Sequence, residues 1–571
     1  MFLRHWAGIV CLIALTFMAV NMVSAIGRKS ITNDEVVHIP SGYFYLTERN
    51  FRLNAEHPPL AKTWSAGPLV FMNLKLPVTG NGAEIDFQHY TMAVAGEFWE
   101  TNRDRFQSIS FWARVPPIIL TLGLGLLIFI YSRQCFGPRA AALSVVLFSL
   151  EPTMLAHGRV VHTDVAAALG YLSFFFALHS YWRRPGLRRA SILGVVTGLA
   201  LLTKFSMTVL IPILFVALAI LFYRARRRNF SYGEIAVHSG VAILTAVLVV
   251  NVAYGFQRSV IPAPDAGWVE MTSPLLFSHW SAVFKTLSHV FPAYFMLGLH
   301  TTMLHNKLGH PASLLGEYNL TGWWYYFPVA FALKTSLPFL VISVSAVVWA
   351  VWRLIQNRER VFLPFVAAIG IYSALSMTSA INIGIRHLLP VFPFLFILGG
   401  ALLDRIMGSR KRRVLALAAA LIALGWMGVE ALRTYPDYTP YMNQLAWQHP
   451  RWHYLSDSNV EWGDDVRELA DYLHGHGQTE VRAALAGGWA TLGYYDVQYI
   501  DLLPAQGKQL PATRYVAIGA GFLNGSTVPR DLRDQNGNPI SEQQRVNLFA
   551  PYRNRTPEAV FGNSIYLYRE N

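Results

Sequence analysis

Asp34 and Glu35 stand side by side in "TNDEVVHIPSGYFYL", residues 32–46, directly after the first long apolar run of the chain. Thr32 and Glu35 have the S/T-x-x-E spacing of a capping box, and acids in a first helical turn sit well against the helix dipole. A carboxylate in this place also suits a general base, which takes the proton of an attacking hydroxyl. The two readings divide between the residues: Glu35 closes the cap while Asp34 faces the chemistry.

Other polar residues recur beside apolar runs. "AHGRVVHTDVA" carries His157, Arg159, His162 and Asp164, and Asp164 opens a following helix as an N-cap residue would. Lys204 occupies the very short link "LLTKFSM", and Arg386 with His387 occupies "INIGIRHLLP". Taken singly, each cation reads as a side chain snorkelling to the interface. Lys334 lies eleven residues into the run that starts at Trp323, about 15 Å along a helix rising 1.5 Å per residue. An ionisable group at such depth is a functional candidate.

The elements that must hold these residues follow from composition. The 571 residues are 53% hydrophobic and only 14% charged, against about 25% charged in soluble domains. Apolar segments long enough to cross about 30 Å of hydrocarbon recur at 6–26, 115–131, 140–156, 165–181, 190–203, 207–223, 237–256, 323–352, 361–379, 387–404 and 414–431. The sequence therefore predicts a mainly α-helical polytopic membrane protein with about eleven spans.

The net charge of +14 is a matter of topology. With the N-terminus in the cytoplasm, every second connection is short and basic: "SRQCFGPR", "YWRRPGLRR", "YRARRR", "WRLIQNRER" and "RIMGSRKRR". This is the positive-inside pattern, and it argues against a nucleic-acid partner. It places loops 27–114 and 257–322, and everything after residue 431, on the outer side. Residues 1–26 also have the features of a signal peptide, with "VSA" as a cleavage site, but the run is long enough to span. Cys11 and Cys135 fall in different spans and offer neither a disulfide framework nor zinc spacing.

In the first outer loop, "HPPLAKTWSAGPLVFMNLKLP" places apolar residues beside Lys62 and Trp64, as a helix lying on the membrane surface would. Residues 1–431 are expected to form the membrane domain. Residues 432–571 are expected to form a soluble α/β domain, with "VRELADYL" as helix and "EVRAALAG", "RYVAIGAG" and "SIYLYRE" as strands.

Outer carboxylates facing outer cations at the lipid boundary fit one reaction well. An isoprenoid-phosphate sugar keeps its tail in the bilayer, and Lys or Arg holds its phosphate as it departs. Lys62, Arg159, Lys204, Lys334, Arg386 and His387 are the candidates for that binding. No cofactor is required, although a divalent metal is compatible. A transporter or flippase of lipid-linked sugars is the alternative, and it would need polar residues along a path through the bilayer.

The blocks "NDEVVHIPSGYFYL…FRLNAEHPPLAK", "GRVVHTDVA", "LLGEYNLTGWWYYFPVAFALKTSLP", "NIGIRHLLPVFPF" and "SDSNVEWGDDV", in this order, resemble bacterial protein O-mannosyltransferase-like glycosyltransferases, the family 39 group of the GT-C fold, which are related to aminoarabinose transferases. The resemblance implies a multi-pass enzyme of the bacterial cytoplasmic membrane. It implies inverting transfer of mannose or another hexose or pentose from a polyprenyl-phosphate donor, on the periplasmic side. The acceptor would be a hydroxyl of a protein, lipid or glycan. Asp34 matches the catalytic base, Glu35 its partner, and Asp164 a recurrent second acid. The last block departs from the pattern, with Glu461 and Asp464 where Asp and Gln are expected. Its acids read as a helix start, and a calcium site from Asp457, Asn459 and Glu461 is a weaker alternative.

Overall fold

The computed structural model describes residues 2–77, 85–225, 230–257, 261–408, 413–505 and 510–570. Arg226–Arg228 and Arg410–Arg412, parts of two basic connections, lie outside the described residues.

Helix α1 (Phe2–Ile26) is followed by the first loop, built from α2 (Asn33–Thr47), α3 (Leu60–Ala66) and α4 (Phe87–Thr101). The central bundle contains α5 (Phe106–Phe136), α6 (Pro138–Leu150), the short α7 (Pro152–His157), α8 (Asp164–Arg183), α9 (Leu187–Leu201), α10 (Leu210–Tyr223) and α11 (Tyr232–Ala253). A second loop carries α12 (Ala263–Thr272), α13 (Trp280–Leu287), α14 (Ala293–Leu308) and the hairpin β1 (Ala312–Leu314) and β2 (Glu317–Asn319). Then follow α15 (Tyr326–Lys334), α16 (Leu337–Gln356), α17 (Leu363–Met377), α18 (Phe392–Met407) and α19 (Arg413–Thr434).

The chain is a multi-pass membrane protein. Among the described residues, nine helical stretches are long and apolar enough to cross a membrane, fewer than the eleven expected. Two of the expected spans are short helices: α6, and α9 with its 15 residues. The 140–156 run breaks at Glu151, whose extended backbone (φ −78°, ψ 118°) is what a following proline enforces.

The 323–352 run also breaks, at Thr335 and Ser336 between α15 and α16. Each break satisfies the other. Ser336 donates its backbone N–H and its hydroxyl to the Glu151 carboxylate at 3.1 and 2.7 Å, and Thr153 Oγ1 donates to Lys334 O at 2.7 Å. Interrupted helices survive at membrane depth only when neighbours take up the freed polar groups in this way.

Helix α18 is the hub, packed on α6, α5 and α16. Helix α9 meets α11 closely, because a Cβ on Gly194 or Gly198 would lie 2.4 or 2.7 Å from a backbone oxygen of α11.

After α19 and α20 (Arg451–Tyr454), α21 (Val466–Gly475) lays Val466, Leu469, Ala470 and Leu473 on a five-stranded sheet. Its strands are β3 (Glu480–Ala484), β4 (Gln498–Asp501), β5 (Tyr515–Gly519), β6 (Ala559–Phe561) and β7 (Ile565–Arg569), in the order β4-β3-β5-β7-β6. The first three are parallel, and β7 and β6 add antiparallel pairs. The helix and three strands read from the sequence are all present.

Candidate active site

The start of α2 is a complete capping box. Glu35 N–H donates to Thr32 Oγ1 at 3.4 Å and Thr32 N–H donates to Glu35 Oε2 at 2.7 Å. The same carboxylate receives Arg114 through Nε at 2.8 Å and Nη2 at 2.5 Å, and the Val161 N–H at 2.9 Å. Glu35 is fully buried with its acceptor sites engaged. Its place beside Asp34 is that of a clamp joining the first loop, α5 and the approach to α8, not of a second reacting acid.

Asp34 turns the other way. Its carboxylate, 22% exposed, is ion-paired with Arg386 Nη1 across 352 residues of sequence. Burial would raise the Asp34 carboxyl, but the charges of Arg386 and His38 and the Arg386 hydrogen bond outweigh it and hold it well below the usual carboxylate range. Burial pushes the His38 imidazole, one turn along α2, down to about 4, and its Nδ1–H donates to Val161 O at 2.9 Å.

Arg386 is the centre of the cluster. Asp457 lies 4.0 Å from its Nη2, the guanidinium lies 4.6 Å from the ring centre of Trp462, and among the described residues its buried Nε has no hydrogen-bond partner. The segment 456–462 shapes this wall: Ser458 Oγ donates to Ile383 O at 2.6 Å and Ile385 N–H donates to Asn459 Oδ1 at 3.0 Å. Within electrostatic reach of Arg386, at the start of α8, Asp164 pairs with Lys204, and its backbone N–H donates to His162 Nδ1 at 2.9 Å. The cluster thus collects Asp34, Asp164, Lys204 and Arg386, as the sequence predicted, and adds Asp457 and Trp462. The sequence offered Asp457 only as a weak calcium ligand, and Trp462 only as part of the last resembling block.

Four predicted ligands lie elsewhere or point elsewhere. Lys62 is fully buried rather than on a surface helix. Its Nζ lies 2.7–2.9 Å from Tyr45 Oη, Asn54 O, Asn54 Oδ1 and His57 O, which share its N–H groups and close the first loop on itself. Arg159 donates to Pro436 O at 2.9 Å and lies 3.6 Å from Asp464. Lys334, at the break after α15, donates to Thr439 O and Asn459 O at 2.5 and 2.6 Å, so its charge holds the segment that forms the site wall. His387 stacks on Phe327, 6.5 Å between ring centres.

Glu461 caps no helix. Ala486 N–H and Gly521 N–H donate to its two oxygens at 2.7 and 2.8 Å, which joins the ends of β3 and β5. Asn459 is likewise engaged by Ile385 N–H and Tyr326 Oη, so Asp457, Asn459 and Glu461 do not converge on one cation. Asp437, Asp465 and Glu468 do bring one oxygen each to within 4.8 Å of one another, a spacing that could hold a metal ion. The Lys29 ammonium already stands among them, ion-paired with Asp437 and 2.5 Å from both Asp465 and Glu468. That position gives the triad a cation without a metal.

The turn that carries Arg386 also borders an apolar groove. This groove of about 260 Å³ is lined by Phe327 and Phe331 of α15, Val344 and Val347 of α16, and Leu388 and Val391 of the 3-10 turn that carries Arg386.

A family model described as "Dolichyl-phosphate-mannose-protein mannosyltransferase" matches residues 106–254, from α5 to just past the end of α11. No curated protein sequence matches the chain. Among solved structures, the chain is similar to ArnT from Cupriavidus metallidurans bound to undecaprenyl phosphate, at 12% identity and a TM-score of 0.48, covering 98% of both chains. It is also similar to the oligosaccharyltransferase AglB from Archaeoglobus fulgidus in complex with an inhibitory peptide and a dolichol-phosphate. That match has 14% identity and a TM-score of 0.47, over 91% of this chain and 70% of that one.

Proposed function

We propose that this protein is a glycosyltransferase of a bacterial cytoplasmic membrane. It moves a sugar, in our reading mannose or another hexose or pentose, from a polyprenyl-phosphate donor to an acceptor hydroxyl on the periplasmic face, with inversion. The observation that carries this reading is the Asp34–Arg386 pair, on a turn whose Leu388, two residues on from Arg386, lines an apolar groove. The match to a mannosyltransferase family model supports it further, as do the solved neighbours that hold undecaprenyl phosphate and dolichol-phosphate.

In this reading the groove takes the isoprenoid tail next to the phosphate, and the phosphate meets Arg386 and Lys204. Resting Asp34 is a weak base because Arg386 holds its charge. An arriving phosphate competes for that guanidinium and adds negative charge nearby, and both effects raise the basicity of Asp34. Asp34 then takes the proton of the acceptor hydroxyl while its oxygen bonds to the anomeric carbon. The bond from that carbon to the phosphate oxygen breaks, and the electron pair leaves with the phosphate against Arg386 and Lys204. Asp164 fixes Lys204 until the donor arrives.

The test compares parent and Asp34→Asn protein in membranes supplied with radiolabelled polyprenyl-phosphate mannose and with a pentose analogue. Transfer by the parent and its loss in the variant support the assignment. Equal transfer by both removes Asp34 as the base, and no transfer by either favours a transporter.

A further inference from the structure

A second polar cavity lies apart from the Asp34 cluster, at the C-terminal end of α19, where a membrane-length helix stops and the chain turns toward α20. It has a volume of about 490 Å³ and its lining includes Glu430, Arg433, Asp437, Tyr441, Trp447 and Arg451, of which Asp437 is already ion-paired with Lys29. Its place at the end of a span, with Leu432, Leu445 and Trp447 all more than half exposed around it, puts it at headgroup level.

The charges inside are not matched to one another. Glu430 is 9% exposed and receives the neutral donors Gln444 Nε2 and Trp426 Nε1. Arg451 Nη1 donates to Met442 O at 3.2 Å, and among the described residues neither Arg451 nor Arg433 is paired with a carboxylate. Among the described residues the buried hydroxyl of Tyr441 makes no well-formed hydrogen bond, though it lies beside the Glu430 carboxylate. A nearly buried carboxylate and a half-buried guanidinium kept apart, with the exposed Arg433 guanidinium at the rim, call for a ligand that carries both signs, since an unpaired charge out of water is costly.

We propose that this cavity binds the headgroup of a resident membrane phospholipid that carries both a phosphate and a primary ammonium. The phosphate lies against Arg433 and Arg451 and takes the Tyr441 hydroxyl as a donor. The ammonium donates to Glu430, and Trp447 covers the glycerol end. A purely anionic headgroup would set a second negative charge beside Glu430, and a quaternary ammonium has no N–H to give it. The inference does not depend on the glycosyltransferase reading.

Native mass spectrometry of the full chain in detergent, with phosphatidylethanolamine, phosphatidylglycerol and phosphatidylcholine added in equal amounts, tests this directly. The parent is expected to retain phosphatidylethanolamine several-fold over the other two. Glu430→Gln is expected to shift retention toward phosphatidylglycerol, an inversion that mere misfolding does not produce. Arg451→Gln is expected to lower retention of both phosphate lipids. Equal retention of all three by the parent, or an unchanged ratio in Glu430→Gln, overturns the proposal. Labelled sugar appearing on the retained lipid makes it a substrate and overturns the resident role.

Discussion

The Arg386 guanidinium lies over the indole of Trp462, 4.6 Å from the ring centre. Arg386 comes from the turn that leads into α18, and Trp462 comes from the segment just before α21. The C-terminal part of the chain therefore furnishes one wall of the site. A guanidinium stacked on an aromatic ring is fixed in plane and position, which leaves its remaining N–H groups aimed at whatever the site receives.

Loss of that stack should act on binding. A cation–π contact of about 0.5–2 kcal/mol corresponds to roughly 2- to 30-fold. Trp462→Leu is therefore expected to raise the KM for the lipid donor by such a factor while kcat falls less, and Trp462→Phe should recover part of the loss. Donor-saturation kinetics in detergent will show the split, and an effect confined to kcat would remove Trp462 as a positioning residue.

The adjacent acids should fail in different ways. Asp34→Asn is expected to lose less thermal stability than Glu35→Gln, because Asp34 is part exposed and Asp457 stays near Arg386, and to lose transfer by about 10²–10⁴-fold, the range for a positioned general base. Glu35→Gln leaves Arg114 buried beside a neutral partner. Breaking such a pair costs on the order of 3–5 kcal/mol, so this variant should be recovered in low yield with a depressed Tm. Similar thermal stability for the two variants would argue against the division of roles.

Arg386→Gln tests the leaving-group role. Removing a donor aimed at developing negative charge costs about 10²–10³-fold in rate, and the larger part should appear in kcat. The variant also frees Asp34 from its ion pair, so the acid limb of the pH–rate profile should move upward relative to the parent. A profile that stays in place would show that Arg386 does not govern Asp34.

A pH dependence should also mark the C-terminal part. Burial pushes the Glu461 carboxyl from its ordinary 4.5 up to about 8 despite its two backbone hydrogen bonds. Between these values the folded chain holds a proton that the unfolded chain releases, so its contribution to stability falls as pH rises from about 4.5 to about 8 and levels off above. Limited proteolysis of the C-terminal part across this window should show the decline. Glu461→Gln, which cannot titrate, should lower the overall resistance and remove that slope.

The sequence by itself determined the membrane class, the apolar runs, the first-loop helices, the α2 cap and the main strands of the C-terminal sheet. All of these rest on periodicities and end signals contained within a few turns of chain. It also named Asp34, Asp164, Lys204 and Arg386, because cations and acids beside apolar runs are conspicuous at short range. Only the tertiary structure decided what each charge pairs with. Lys62, Arg159 and Lys334 looked like ligands for a substrate, yet they hold backbone and side-chain oxygens of the chain itself. The block with Asp457 and Trp462 read as a helix start, yet these two residues meet Arg386 from more than 70 positions away. The breaks at Glu151 and Ser336 were hidden for the same reason: a helix can stop inside an apolar run only if a distant segment takes up its freed polar groups, and the identity of that partner is a property of the fold.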